Sequence, residues 1–191
     1  MPYGYMAYPC SFDMLVNQAK AVDGKLSFGG SQRYAFLAIP DKTNMQLATL
    51  KQIAKLVKDG VVVYGPKPEV LLSLNDIKNH SEEFKSLADE LWGKNNASLV
   101  DNKYGKGKVV WGKPVNELLE ELNVVPGFNT NISDAKEIMF IYKKVGNDDV
   151  YFVFNQQNKA LNRELLFRTK NKVPEIWDAV DGSMVKPAIY S

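Results

Sequence analysis

Among the adjacent carboxylates whose type could support acid–base hydrolysis are Glu82/Glu83, Glu120/Glu121 and Asp148/Asp149. Hydrolysis of a sugar acetal needs two carboxyl groups that face each other across the scissile bond. Adjacent residues on a helix do not face each other, and the aspartate pair falls in an expected hairpin turn. The sequence therefore predicts that all three pairs are solvated, and it identifies no catalytic residue.

Histidine and cysteine offer no clearer chemistry. His80 is the single histidine and is predicted to lie on the surface near the start of a helix. Cys10 is the single cysteine, which excludes an intramolecular disulfide and a thiolate cluster. It follows a proline instead of standing between glycines, so a nucleophile elbow is not indicated. No metal-ligand spacing is present, and no cofactor is predicted.

A possible ligand crevice is indicated where three apolar strands end. Residues just past the carboxyl end of such strands usually contact ligands in α/β folds. Gly65–Pro68, the Gly-Pro-Lys-Pro turn, follows the apolar run Val61–Tyr64. Its two prolines lack N–H donors, which argues against a phosphate cradle. The predicted crevice residues are Asp41, Gly65, Lys67 and Trp111. Capping of the following helix is a competing explanation for Asp41.

The elements that would position this crevice alternate between strand and helix. Apolar runs predict strands that are buried on both faces, and apolar residues at spacings of three and four predict helices. This order favours a parallel sheet with helices on both faces. The predicted strands span residues 34–39, 61–64 and 108–111; the predicted helices span 43–58, 81–92 and a segment from Pro114 through Leu122.

The pattern changes to hairpins towards the C-terminus. Residues 138–143 and 150–155 are separated by Gly146-Asn147-Asp148 and predict a β-hairpin. Short strands are expected at 165–168 and 174–178, as in the start of a β-sandwich. The expected domains are therefore an α/β domain at residues 1–133 and an antiparallel β segment at 134–191. Ala188–Ser191 end in what looks like an unfinished β region, which predicts a fragment of a longer protein.

Composition narrows the classes of partner. The net charge is +2, and the lysines are spread along the chain, so nucleic acid is not an expected partner. No apolar run reaches the length of a membrane span, and no signal peptide is visible at the N-terminus. Because only one cysteine is present, the redox compartment and the location stay open.

Five segments, taken in order, resemble the large α-L-rhamnosidases of glycoside hydrolase family 106. They are Tyr34–Asp41, Leu50–Pro68, Gly105–Gly112, Asp149–Gln156 and Pro174–Gly182. The resemblance covers most of the chain from about residue 10. Such proteins more often carry His-Arg where this chain has Tyr142-Lys143.

The resemblance implies the region that follows the catalytic barrel: a three-layer flavodoxin-like or glutamine-amidotransferase-like α/β domain, then a short antiparallel β segment. The family's catalytic glutamates and calcium ligands belong to the barrel, so no catalytic, cofactor or metal residue transfers to this chain. The implied role is a non-catalytic accessory region that buttresses a catalytic domain of the same polypeptide. Other domains of the parent protein, and carbohydrate, are the implied partners. The parent is expected to be periplasmic or secreted.

Two other functions are compatible with the residues. A stand-alone module would bind a sugar or nucleotide in the crevice, and this would need polar groups that converge near Asp41, Gly65 and Trp111. A small carboxylate hydrolase acting at the same strand ends would lose turnover in Asp41→Asn. The accessory-region hypothesis instead predicts an exposed apolar patch where the rest of the parent protein docks.

Overall fold

The computed structural model describes residues 2–95, 97–131 and 137–187, apart from the side chain of Asn75. The chain divides into two compact units. We call Ala7–Val124 the α/β unit, and Met1–Met6 together with Val125–Ser191 the β unit. The boundary predicted between residues 133 and 134 lies outside the described residues and stays a prediction.

The described part of the α/β unit contains helices and short strands in a mixed order. Its helices are α1 (Phe12–Asn17), α2 (Leu47–Lys58), α3 (Leu74–Trp92) and α4 (Val115–Glu121). Its strands are β1 (Lys20–Val22), β2 (Lys25–Ser27), β3 (Leu37–Ala38), β4 (Asn44–Met45), β5 (Val62–Tyr64), β6 (Val70–Leu71), β7 (Val100–Tyr104) and β8 (Gly107–Trp111).

A four-stranded sheet in the order β3-β5-β8-β7 forms the centre of this unit. The first three strands are parallel, as the sequence predicts, and β7 adds an antiparallel edge. Both faces are covered. Val63 and Val109 pack with residues of α2 and α3 in one buried cluster, whereas Val62 and Val110 pack with Leu118 of α4 in another. This alternation explains why the strands are apolar at successive positions.

Helix α2 begins at Leu47 and not at residue 43, which corrects the prediction. The preceding residues Asn44 and Met45 form β4, which pairs with β6. The N-cap of α2 is Gln46, so Asp41 does not cap this helix. The predicted end of this helix at residue 58 is confirmed, and Asp59 is its C-cap.

Helix α3 begins at Leu74, seven residues earlier than the sequence predicts. The Ser73 hydroxyl accepts a hydrogen bond from the Asp76 amide at 3.3 Å and so caps the helix. Ser73-x-x-Asp76 is a recognised start signal of a helix. The prediction relied on the apolar stripe from Phe84 onward and did not use this signal. His80 is exposed, as predicted, but it lies inside the helix. Helix α4 begins directly after Pro114, close to its predicted start.

The β unit is built from antiparallel strands. They are β9 (Phe128–Thr130), β10 (Ile138–Val145), β11 (Asp148–Asn155), β12 (Leu165–Phe167), β13 (Ile176–Trp177) and β14 (Met184–Val185). The predicted hairpin is confirmed as β10 and β11, which pair over eight residues. Phe128 is fully buried and stacks on Phe140 of β10 at 4.8 Å. The predicted unfinished β region at 188–191 lies outside the described residues.

The described helices do not meet the requirements of a membrane span. None of those within residues 2–95, 97–131 and 137–187 combines sufficient length with sufficient hydropathy to cross a bilayer.

Candidate functional site

The Gly-Pro-Lys-Pro turn is held against the C-terminal end of α3. The Trp92 indole donates a hydrogen bond to the Gly65 carbonyl at 2.8 Å, and Trp92 is buried. The Lys67 ammonium lies 2.6 Å from Asp89 Oδ1 and donates to the Gly93 carbonyl at 2.7 Å. Gly93 is the C-cap of α3, where a cation is favourable because the helix dipole is negative there. The turn therefore has a structural explanation that does not involve a ligand.

Gly65 also brings two strand ends close together. Its amide donates to the Val110 carbonyl, and the Ile39 amide donates to the Tyr64 carbonyl. A Cβ at position 65 would lie 2.0 Å from Ile39 Cγ1. Only glycine fits this approach of two neighbouring strands.

The structure brings three of the four predicted crevice residues to the ends of adjoining strands. Gly65 and Lys67 follow β5, and Trp111 is the last residue of β8. Asp41 lies three residues beyond the end of β3 and is exposed. The Lys67 side chain is only 13% exposed, and its ammonium is already bound by Asp89 and Gly93. Ligand binding at these four residues stays a prediction.

Aromatic rings occupy the other part of these strand ends. The Trp111 ring packs edge-on against the Tyr64 ring at 5.4 Å, and the Tyr64 hydroxyl donates to the Lys113 carbonyl at 2.7 Å. Trp111 is partly buried against the core. Trp177, by contrast, is 68% exposed.

The described carboxylates whose pKa departs clearly from its ordinary value all shift downward. Lysine side chains hydrogen bond to five of them, and four of these five lie in the α/β unit. The Lys51 hydrogen bond lowers the pKa of Glu83, and the Lys67 hydrogen bond lowers that of Asp89. Burial opposes the shift at Asp101, but Lys108 and Lys113 outweigh it. The Lys113 hydrogen bond lowers the pKa of Glu121.

These shifts bear directly on acid catalysis. A general acid for glycoside hydrolysis needs a raised pKa so that it holds its proton near neutral pH. Among the pairs that the sequence singled out, Glu83 and Glu121 are each paired with lysine, and the pKa of each is lowered. The predicted solvation is wrong for Asp149, whose side chain is only 12% exposed.

In the described β unit, the Asp149 carboxylate is surrounded by four hydrogen-bond donors. The Tyr142 hydroxyl donates to Asp149 Oδ1 at 2.9 Å, and Lys144 lies 3.0 Å from the same oxygen. Thr169 and Lys172 contact the other oxygen. The Lys172 hydrogen bond, followed by those from Lys144 and Tyr142, holds the pKa of Asp149 far below its usual range. Burial, followed by the contact with Asp149, raises the pKa of Tyr142. This carboxylate joins the hairpin to the segment after β12.

A small groove of about 190 Å³ lies beside the hairpin in the β unit. Its lining includes Val153, Asn155 and Arg163. The Arg163 guanidinium is paired with Glu137 at 2.9 Å, and the Asn155 amide donates to the Lys159 carbonyl at 2.7 Å. The polar groups around the groove are therefore engaged with the protein itself.

The outer face of the β10–β11 hairpin is an exposed apolar surface of the described β unit. Four large apolar side chains lie side by side there: Met139 is opposite Phe154, and Ile141 is opposite Phe152. Their exposed fractions range from 37% to 55%. We call these four residues the apolar hairpin face. Monomeric proteins rarely leave such a cluster uncovered, and the accessory-region hypothesis predicted a patch of this kind.

Sequence reasoning missed the connections that close the strand ends. The hydrogen bond from Trp92 to Gly65 depends on where α3 ends relative to β5. Lys67 was placed in the crevice, although Asp89 lies 22 residues further along. The Ser73 cap was the available signal for the true start of α3. From that start the helix makes about five turns before its C-cap at Gly93.

Known proteins similar to this chain are glycosidases by name. A "Putative beta-glucuronidase" of Formosa agariphila is 32% identical over 171 residues, which cover 88% of this chain and 13% of that protein. The solved structure of a rhamnosidase from Novosphingobium sp. PP1Y superposes with a TM-score of 0.79 at 28% identity. That match covers 92% of this chain and 16% of the rhamnosidase. The chain thus spans less than one fifth of either relative.

The family model described as alpha-L-rhamnosidase matches residues 1–191. A match over every residue of the chain, together with the two glycosidase relatives, confirms the resemblance seen in the sequence. The chain belongs to glycoside hydrolase family 106, the alpha-L-rhamnosidase family.

Proposed function

We propose that this chain is a non-catalytic accessory region of a carbohydrate-degrading glycoside hydrolase, and that it supports a catalytic domain elsewhere in the same polypeptide. The observation that carries this proposal is the apolar hairpin face. A two-stranded ribbon is marginally stable alone, and apolar side chains alternate on its outer surface as they do where two sheets pack together. Another sheet of the parent protein is the partner that fits this pattern.

Family membership and coverage support the same role. Both relatives bear the names of glycosidases, yet this region accounts for only 13% and 16% of their lengths. In the described residues, the clearly shifted carboxylates are ionised more readily than usual, which suits ion pairs better than acid catalysis. We propose an α-L-rhamnoside as the substrate class of the whole protein.

We further propose a flavodoxin-like or glutamine-amidotransferase-like ancestry for the α/β unit. Three parallel strands with helices on both faces support it. In this interpretation, the fold has kept its sheet, and the turn after β5 now binds the C-terminal end of α3. A fold does not by itself entail a function, so the ancestry adds no activity.

The first test is the size of the native polypeptide, detected with an antibody raised against this chain. We expect a band several times larger than 21.5 kDa. A band near 21.5 kDa would contradict the accessory role and would direct attention to ligand screening at the strand ends.

The second test places a charge on the apolar hairpin face. In the full polypeptide, Ile141→Lys should lower the unfolding temperature, because a charge would be buried against the partner sheet. For the same reason, the activity towards an aryl α-L-rhamnoside should be lost faster during incubation. Lys143→Gln, two residues along the same strand face, is the matched control. In this chain alone, Ile141→Lys should change little because the residue is exposed. Equal effects in both settings would refute the proposal.

A further inference from the structure

The N-terminal half of α3 extends beyond the core that its C-terminal half covers. Every residue from Ile77 to Glu83 is exposed, whereas Phe84, Ala88 and Leu91 are buried. Ten residues of α-helix, from Leu74 to Glu83, span about 15 Å. A helical segment of this length with few buried side chains is marginal in water, so a partner would stabilise this half of the helix.

Four exposed aliphatic side chains lie within eight residues at the start of the projecting segment. Val70 and Leu72 flank the buried Leu71, and Leu74 begins α3 directly after the capping Ser73. Ile77 lies three residues after Leu74 on α3 and seven before Phe84, so it continues the helix's inner stripe. The exposed fractions of the four aliphatic residues range from 45% to 86%. We call Val70, Leu72, Leu74 and Ile77 the α3 overhang.

The α3 overhang lies where α/β folds often bind ligands. The α3 overhang follows directly after the Gly-Pro-Lys-Pro turn, on the connection that leaves the carboxyl end of β5. Related folds use such connections for ligands. Here the turn is closed by Trp92 and Lys67, and the next residues of the connection present aliphatic groups instead of polar ones.

We infer that the α3 overhang is a second docking surface, and that its occupant is an apolar surface of another domain of the same polypeptide. The inference rests on the proposed accessory role. It differs from the contact proposed for the apolar hairpin face because it lies in the other compact unit and uses different residues.

The size of the surface decides between an intramolecular partner and a second copy of the chain. Four aliphatic side chains expose on the order of a few hundred Å², whereas a stable interface needs about 800 Å² from each partner. A domain tethered in the same chain has an effective concentration in the millimolar range, so it needs far less area. More than four fifths of each relative's length lies outside this region.

Hydroxyl-radical footprinting read by mass spectrometry tests the inference directly. The probe is the hydroxyl radical, and a reporter peptide fixes its dose. We expect Leu74 and Ile77 to be oxidised about fivefold more slowly in the full polypeptide than in this chain alone, as for side chains that become buried. Equal oxidation rates in the two samples would overturn the inference.

Leu74→Asp provides a variant that should not damage the helix itself. Leu74 is the first residue of α3 and is 86% exposed, and an acidic residue in the first turn is favoured by the helix dipole. We expect this variant to lower the unfolding temperature of the full polypeptide and to leave that of this chain unchanged. Leu99→Asp is the control, since Leu99 is an exposed leucine of the same unit outside the surface.

The outcomes separate this inference from the accessory role. If the native polypeptide is large but Leu74 stays as reactive as in the chain alone, the docking surface is refuted while the accessory role stands. If this chain alone forms a dimer that Leu74→Asp dissociates, the occupant is a second copy and the intramolecular assignment is wrong. An equal loss of stability in Leu99→Asp would also overturn it.

Discussion

At the level of single residues, Lys67 of the predicted crevice binds the protein itself. Lys67 was predicted to face a ligand, but its ammonium binds Asp89 and the carbonyl of Gly93. Both partners belong to the last turn of α3 or its cap. The side chain therefore stabilises the helix end, whatever else it does.

We expect Lys67→Met to lower the unfolding temperature of this chain by about 2–4 °C, because it removes the ion pair and leaves the Gly93 carbonyl without its donor. Asp89→Asn and the double variant complete a cycle in thermal unfolding. Non-additive losses are expected, since the two side chains contact each other. Additive losses would show that Lys67 acts independently of Asp89.

Asp149 should give the chain an acid-sensitive contribution to stability. Its pKa in the folded state lies below the unfolded value of about 3.9 because Lys172, Lys144 and Tyr142 hydrogen bond to the carboxylate. A lowered folded-state pKa stabilises the protein above the unfolded pKa, and this stabilisation is lost as the pH falls towards the folded value.

In urea unfolding, the wild type should exceed Asp149→Asn in stability by a constant margin between about pH 5 and pH 7, and this margin should shrink below about pH 4. Asp148→Asn, at the exposed neighbouring position, is the control. A margin that does not change with pH would show that the ion pairs contribute nothing.

At the level of the elements, two glycines fix how closely strands and helices approach. A Cβ at Gly107, the first residue of β8, would lie 2.3 Å from the Val61 carbonyl oxygen and 2.5 Å from that of Val57. At Gly65 the nearest obstacle is the side chain of Ile39. A side chain can be trimmed or moved, whereas a backbone carbonyl cannot.

Gly107→Ala should therefore destabilise this chain by about 3 kcal/mol or more, and Gly65→Ala by about 1–3 kcal/mol, as overpacking does. Ile39→Ala should partly rescue Gly65→Ala in denaturant unfolding, and it should not rescue Gly107→Ala. Rescue of both variants, or of neither, would contradict the assigned contacts.

The parallel strands could be predicted from the sequence because burial on both faces makes them continuously apolar, as in Val61–Tyr64. The start of α3 could not be predicted from its apolar stripe. The residues from Ile77 to Glu83 are exposed, and the buried positions that make the stripe begin only at Phe84. Strand β7 was missed because Asp101 and Lys103 are polar: at a sheet edge one side of the strand meets solvent. The role of Lys67 depended on a tertiary contact that no local pattern records.

At the level of the whole molecule, exposed apolar surface is the property that distinguishes this chain. The apolar hairpin face lies in one compact unit and the α3 overhang in the other. Each unit therefore has its own exposed apolar surface, and we propose that each one contacts a partner. That distribution fits a region that contacts the rest of a large enzyme at more than one place.

We expect this chain alone to bind the dye anilinonaphthalene sulfonate in its folded state, because that dye reports accessible apolar surface. Phe152→Lys together with Leu74→Asp should reduce the fluorescence by more than either change alone, since the two surfaces are separate. Lys143→Gln should leave the dye signal unchanged. Absence of dye binding by the wild-type chain would contradict the exposure of both surfaces.

The three tryptophans have a consequence for how the two units can be followed in solution. Trp92 and Trp111 belong to the α/β unit, and Trp177 belongs to the β unit. Trp92 is buried and bound to a carbonyl, whereas Trp177 is open to solvent. Acrylamide should therefore quench the emission of Trp177 first. The natural fluorescence of the chain thus supplies separate optical signals for its two units without any added label.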